Sequence, residues 1–222
     1  MTNRVKYPRT PHLPSSQGIT DEDIVAGISD DGVIASKMWL DDELVALTVK
    51  MDGENTTIGR DYVHARSIDS AYHPSRAWVK QFASGWQWKL KDNERICGEN
   101  MYAMHSIYYS NLASYFLGFS YWTDDWCHSW SETLDKFKEL GIESVPKRGI
   151  FKFGDLVIGA EIAACLDEGD EGFVIRTADG FPYSAFHLNV AKWVRPEHVA
   201  DDDGHWMTKT DFRQNKLRPQ GF

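Results

Sequence analysis

A chain of 222 residues, 42% hydrophobic and 13% aromatic with nine tryptophans, can bury a substantial core, and this excludes a disordered chain, which is poor in aromatics. Its formal net charge of −9 creates a field that repels nucleic acid, so a polynucleotide partner requires a local basic strip. The absence of a signal-peptide core and of any transmembrane-length apolar run, with three cysteines and no CxxC pair, predicts a soluble, cytoplasmic protein with reduced thiols and no membrane partner.

Residues 1–18 carry Pro8, Pro11 and Pro14, which favour an extended path. They read as a mobile tail or as an extended arm laid across the domain on Tyr7, His12 and Leu13, with residues 19–222 as the domain itself. Residues 32–58 read as strands and turns. Within them, the nearly continuous β-forming run 44–49 predicts a buried strand, and Asp52-Gly53 a tight turn. Residues 74–82 predict a helix, with Pro74 in its first turn and Gly85 beyond its end. Residues 96–122 read as further, very aromatic strands. Ser129 and Glu132 have capping-box spacing, and Trp130, Leu134, Phe137 and Leu140 follow at helical intervals up to Gly141, which predicts a helix over 129–140. Residues 172–176 and 186–194 read as two more strands, and 201–204 as a solvated loop. No repeat or linker interrupts this order, so the fold class is α+β: a single domain of antiparallel sheets flanked by helices.

The chemistry concentrates where the buried strand ends. An amine at that point is partly desolvated, which lowers its pKa and raises the nucleophilic fraction of Lys50. Asp52-Gly53 bends the chain so that backbone amides and Asn55 can approach a ligand. Taken alone, the same residues describe a strand ending in an exposed lysine. They are followed, in order, by Ala65-Arg66-Ser67, by a GE pair in Ile96-Cys97-Gly98-Glu99-Asn100-Met101-Tyr102, and by the aromatic run Tyr115-Phe116-Leu117-Gly118-Phe119-Ser120-Tyr121-Trp122. Glu171-Gly172-Phe173-Val174-Ile175-Arg176 and Ala191-Lys192-Trp193-Val194-Arg195 complete the series.

This set resembles the ordered motifs of the covalent nucleotidyltransferases, and the KxDGxN form of Lys50 to Asn55 is similar to the ATP-dependent RNA ligases. The resemblance covers residues 40–196 and implies the nucleotidyltransferase, or ligase adenylation, fold as a minimal catalytic domain. It implies ATP with Mg²⁺ or Mn²⁺ as cofactors, and RNA ends or a nicked duplex as partner, in RNA repair. Lys50 would attack the α-phosphate of ATP and carry AMP. Glu171 would serve the metal directly or through water, and Glu99 would bind a ribose hydroxyl or a second metal. Phe119 would stack on adenine, although Tyr115, Phe116 and Tyr121 are its neighbours, with Val174 on the opposite face. Asn55 and Arg66 would hold ribose and phosphate, with Arg66 also suited to the 5′-phosphate of the substrate. Arg176 would add a phosphate or ribose contact, and Lys192 would meet the α-phosphate. Asp52 and Gly53 belong to the nucleotide-binding turn.

One departure from the pattern stands out. RNA ligases commonly place two lysines at alternate positions of the last motif, where this chain has Lys192 between Val190 and Val194. Either one cation suffices or another residue, such as Lys152, substitutes. The residues after Arg195 are too few for an appended OB-fold, so the domain is expected to rely on its own groove, an accessory protein or a dimer. A DNA ligase or capping enzyme, and a nucleotide-binding scaffold without turnover, are the competing readings. No GxxxxGK[ST] loop and no HxH or HExxH spacing occurs, which excludes a P-loop and argues against a zinc site.

Overall fold

The run that ends in Lys50 is apolar on both sides because it becomes a central strand covered on both faces. In the structure, a computed structural model that describes residues 4–16, 25, 38–69, 72–196 and 212–219, it is β1 (Leu44–Lys50). It is followed by β2 (Glu54–Gly59), β3 (Val63–Ala65), α1 (Ala77–Ser84), β4 (Glu94–Asn100), β5 (Phe116–Thr123), β6 (Trp126–Cys127) and α2 (Trp130–Leu140). Then come β7 (Glu143–Ser144), β8 (Lys147–Lys152), α3 (Ile158–Glu168), β9 (Gly172–Thr177), β10 (Phe181–Pro182), α4 (Phe186–Asn189) and β11 (Val190–Val194).

Two sheets face each other. The first has the order β11-β9-β1-β8, antiparallel throughout. The second runs β10-β6-β5-β4-β2-β3, with β7 alongside β5 in parallel. Val45 and Leu47 pack with Ile158, Ile162 and Cys165 of α3 on the outer face of the first sheet. Ile58, Ile96 and Phe116 pack with Val79 and Ala83 of α1 and with Phe137 and Leu140 of α2 on the outer face of the second. Between the sheets lie two further apolar clusters, one around Met51, Met101, Leu117 and Trp130, the other around Cys97, Trp122, Cys127, Phe181, Phe186 and Val190. The α+β class and the antiparallel sheets flanked by helices match the sequence expectation.

Several elements follow from local chemistry. Ser129 caps α2: its Oγ accepts from Glu132 N at 3.3 Å while Glu132 Oε2 accepts from Ser129 N at 2.9 Å, and Gly141 ends the helix at φ 71°. Pro74–Arg76 forms a single 3₁₀ turn that leads into α1. Other expectations are revised. Asp52-Gly53, expected as a tight turn, is a bend at Gly53 that carries the chain from one sheet to the other, since β1 and β2 belong to different sheets. Residues 186–194 do not form one strand: they begin as α4, which puts Phe186 and Val190, four residues apart, into the same apolar cluster. Residues 101–115 interrupt the expected aromatic strands, and β8 and α3 were not expected at all. Residues 32–37 and 201–204, read as strand and loop, lie outside the described residues, as do the ends of the 1–18 segment.

Residues outside the two sheets brace them. Residues 4–16 cross from the edge of the second sheet, where the Arg4 guanidinium lies 5.9 Å over the Tyr62 ring, to the edge of the first. There Leu13 N donates to Lys192 O at 2.7 Å and Lys192 N to Pro11 O at 2.9 Å. Residues 212–219 thread through the loop 101–115, with Asn215 1% exposed. Among the described residues, no helix is long and apolar enough to cross a membrane.

The buried ion pair of Arg76 with Glu54 ties α1 to the start of β2, with Nε hydrogen bonds of 3.0 and 2.8 Å. Removing one partner strands a buried charge, which is more costly than replacing both. Arg76→Ala is expected to lower the unfolding free energy by about 3–5 kcal/mol. The double exchange Arg76→Met, Glu54→Leu is expected to lose less. Urea denaturation of both proteins checks the order.

Candidate active site

The two sheets enclose a cleft of about 250 Å³ whose walls are set by strand register. On the first sheet, Thr48 pairs with Val174 and Val174 with Lys192, so alternating residues of β1, β9 and β11 form one wall. Lys50 pairs with Gly172, which puts Glu171 beside the lysine, and Lys50 Nζ donates to Glu171 Oε1 in a close ion pair. A Cβ at Gly172 would lie 2.0 Å from Trp193 O, so only glycine lets β11 approach there.

On the second sheet, Asn55 of β2 pairs with Glu99 of β4, and both line the cleft with Arg66, which follows β3. Phe119 reaches it by a β-bulge. Cys97 pairs with Ser120 and Gly98 with Gly118, leaving Phe119 as the extra residue of β5. Bulges re-aim side chains in this way. Tyr115 and Phe116, its neighbours in sequence, are instead buried in the apolar clusters. The structure thus gathers Lys50, Asn55, Arg66, Glu99, Phe119, Val174, Arg176 and Lys192 around one space, with Glu171 on Lys50.

Asp52, Gly53 and Lys152 are placed differently from expectation, and Arg176 lines the cleft while held by neighbouring groups. Asp52 does not line the cleft. Its Oδ2 accepts from Ser106 N, Ser106 Oγ and Ile107 N, each at 2.8 Å, so its carboxylate is committed to the 101–115 loop. Asp52 N in turn donates to the Tyr109 hydroxyl at 3.1 Å. Asn215 holds that tyrosine from the other side: Tyr109 N donates to Asn215 Oδ1 at 2.9 Å, and Asn215 Nδ2 donates to Met101 O at 2.8 Å. Gly53 is needed for close approach, since a Cβ there would fall 2.7 Å from Met101 Sδ and 2.8 Å from Asn100 O. Arg176 is braced by its own surroundings, with Nη2 donating to His128 O at 2.8 Å and the guanidinium over Phe181 and Trp130. Lys152 pairs with Leu44, at the opposite end of β1 from Lys50, and cannot substitute for a second lysine beside Lys192.

The electrostatics revise one expectation. Burial is the largest influence on Lys50 and lowers its pKa, as a desolvated strand end should, but the carboxylates of Glu171, Glu99 and Asp52 outweigh it and the net shift is upward. The resting amine is therefore a stabilised ammonium. Glu99 is pushed up to about 8, by burial first; Glu171 and Asp52 raise it further while Lys50 opposes them. Among the described residues, no group of three or more His, Cys, Asp or Glu side chains could hold a metal unaided. Two carboxylates beside Lys50 do suit a hard cation that takes its remaining ligands from water and substrate phosphates.

Several lining residues carried no distinct signal in the sequence. Thr48 and Ser120 are small strand residues, and Trp130 reads as part of the apolar face of α2. Pro8 and Thr10 come from the 4–16 segment, as does Tyr7, which the sequence marks as an anchor of an extended arm and not as a lining residue. Two buried polar atoms of lining residues, Asn55 Oδ1 and Trp130 Nε1, find no hydrogen-bond partner among the described residues. Such groups are costly unless a ligand satisfies them.

Comparison with known proteins gives a consistent family. The RNA ligase family model matches residues 43–194. Among solved structures, an archaeal ATP-dependent RNA ligase is similar at 18% identity and a TM-score of 0.51, over 69% of this chain and 43% of that one. A Naegleria gruberi RNA ligase with PPi is similar at 20% identity and 0.52, over 69% and 50%. A mutant of the Naegleria enzyme with ATP and Mn is similar at 16% identity and 0.50, over 70% and 50%. The chain thus spans half or less of the length of these ligases, and at these identities the likeness shows the fold. Among curated proteins, none matches the chain.

The Glu99 shift has a definite sign for stability. Its carboxyl titrates near 4.5 when unfolded and about 8 when folded, so the folded chain keeps a proton that the unfolded chain releases. Stability is lost as pH rises through that window. Glu99→Gln is therefore expected to gain Tm relative to the wild type on going from about pH 5 to about pH 9. A Tm difference independent of pH refutes the assignment.

Proposed function

Because the chain belongs to the RNA ligase family, we propose that it is an ATP-dependent RNA ligase in which Lys50 carries AMP. The observation that carries this reading is the placement of Lys50 Nζ against Glu171 in a cleft that also presents Asn55, Arg66, Glu99, Phe119, Val174 and Lys192.

In the first step, Lys50 Nζ attacks the α-phosphorus of ATP. The ammonium first yields one proton to solvent, which frees the nitrogen lone pair; a P–N bond then forms, the bond to the bridging oxygen breaks, pyrophosphate leaves and Nζ yields a second proton to solvent. In the second, a 5′-phosphate oxygen of an RNA end attacks the same phosphorus, the P–N bond breaks and Lys50 takes back two protons from solvent to return to the ammonium. In the third, a 3′-hydroxyl attacks the activated 5′-phosphorus, releasing AMP and a proton as the phosphodiester forms. Reactions of this kind depend mainly on positioning and on neutralising charge.

Each residue has a share in that. Glu171 holds the resting ammonium and orients it along the cleft. Glu99 and Glu171 are the carboxylates that would hold Mg²⁺ or Mn²⁺ with the triphosphate; the bound cation supplies charge neutralisation and lowers the pKa of the amine. Lys192 meets the α-phosphate from β11. Arg66 takes the ribose or phosphate, and it is the residue suited to the 5′-phosphate of the RNA. Asn55 Oδ1 receives a ribose hydroxyl. Phe119 and Val174, on opposite walls, sandwich the adenine. Asp52 and Gly53 serve the site by position: they fix the crossing between sheets.

The decisive experiment incubates the chain with Mg²⁺ and each α-labelled nucleoside triphosphate, then tests Lys50→Ala and Lys192→Ala. Label from ATP is expected in the wild type and none in Lys50→Ala. Loss of the Lys192 contact is expected to slow adduct formation about 100-fold. Label from GTP in place of ATP points to capping chemistry, and no label with any triphosphate defeats the enzymatic reading in favour of a nucleotide-binding scaffold. Joining of 5′-phosphorylated RNA ends then tests the later steps.

A further inference from the structure

Tyr7 lies outside the stretch matched by the RNA ligase model, yet its side chain lines the nucleotide cleft. Its ring centroid sits 5.2 Å from that of Phe119 at an interplanar angle of 67°. It is also 5.2 Å from Phe186 and 6.5 Å from Trp122, both nearly perpendicular to it. Three edge-to-face neighbours hold one ring in one orientation. The backbone on either side is pinned as well. Lys6 O accepts from the Tyr183 hydroxyl at 2.8 Å, and Pro11 and Leu13 pair with Lys192.

We propose that Tyr7 forms the end wall of the nucleobase subsite and helps decide which nucleoside triphosphate is accepted. The inference rests on the proposed base stacking at Phe119. A base on that ring meets Tyr7, so Tyr7 limits how far the base extends, while its buried hydroxyl bonds Ser120 at the inner end of the cleft beside Cys97 and Cys127. Burial holds the phenol protonated, so it can donate as well as accept. The same cleft offers the indole N–H of Trp130, which has no partner among the described residues. Two polar groups within an aromatic wall are the usual means of orienting a flat heterocycle. The segment 4–16 is then part of the binding site, and its pairing with the Lys192 backbone couples the base end to the α-phosphate end.

The test uses the full chain with Tyr7→Ala and with Tyr7→Leu, which keeps most of the apolar volume. Formation of the Lys50 adduct is measured against ATP concentration and with the other triphosphates in competition. Both variants are expected to raise KM for ATP about ten-fold, to lower the maximal rate by a smaller factor, and to narrow the preference for ATP by a similar amount. Lower thermal stability with unchanged KM and preference confines Tyr7 to packing and overturns the proposal. If Tyr7→Ala does not fold, Tyr7→Leu decides by the same criteria. If the wild type forms no adduct, the ligase reading fails by itself, and equilibrium dialysis with ATP decides for Tyr7. Equal affinity in wild type and variants overturns the proposal, and an affinity lost about ten-fold supports it.

Discussion

The ion pair between Lys50 and Glu171 is the constraint around which the rest of the structure is arranged. A lone amine at the end of a buried strand would shed its charge to escape desolvation. Here the strand pairing that sets Lys50 opposite Gly172 also delivers a carboxylate to it, with Glu99 and Asp52 close enough to add to its field. The resting site therefore stores a cation among anions. Glu99, squeezed between burial and its anionic neighbours, shows how crowded that arrangement is.

Holding the arrangement requires two sheets to meet at one point, and the crossing from β1 to β2 is that point. A glycine is needed because Met101, Asn100 and Glu99 press on it, and an aspartate because the loop 101–115 must be tied to it. Residues distant in sequence complete the support. Asn215 braces Tyr109, which braces Asp52, while Arg76 neutralises Glu54 one step further on. Motif residues that look like ligand contacts in a sequence divide, in three dimensions, into those that face the cleft and those that hold the ones that do.

What the sequence made legible follows from which signals are local. The apolar run 44–49, the capping box at Ser129 and the glycine at 141 each act within a few residues, and each gave the element it predicted. The order of short motifs identified the family because each motif brings a residue from a strand, or from just beyond one, to the same cleft. Non-local effects were not legible. The net rise of the Lys50 pKa depends on carboxylates brought from positions 99 and 171, so desolvation alone gave the wrong direction. The aim of Phe119 depends on a bulge against β4, and the hydrogen-bond partners of Asp52 on a loop more than 50 residues downstream. Residues 186–194 misled because an apolar stretch satisfies strand and helix alike until Phe186 and Val190 find the same cluster.

The bracing of Asp52 by way of Asn215 bears on the order in which the protein is made. A nascent chain that has emerged as far as Arg195 already contains every motif residue, from Lys50 to Lys192. It lacks the side chain that fastens Tyr109, and the contact that closes it joins positions 106 residues apart. Such long-range closures form late, after the entropy of the intervening loop has been spent. Synthesis of the cleft and completion of its bracing are thereby separated in time: the ribosome releases the residues that line the cleft before it releases the residue that completes their support.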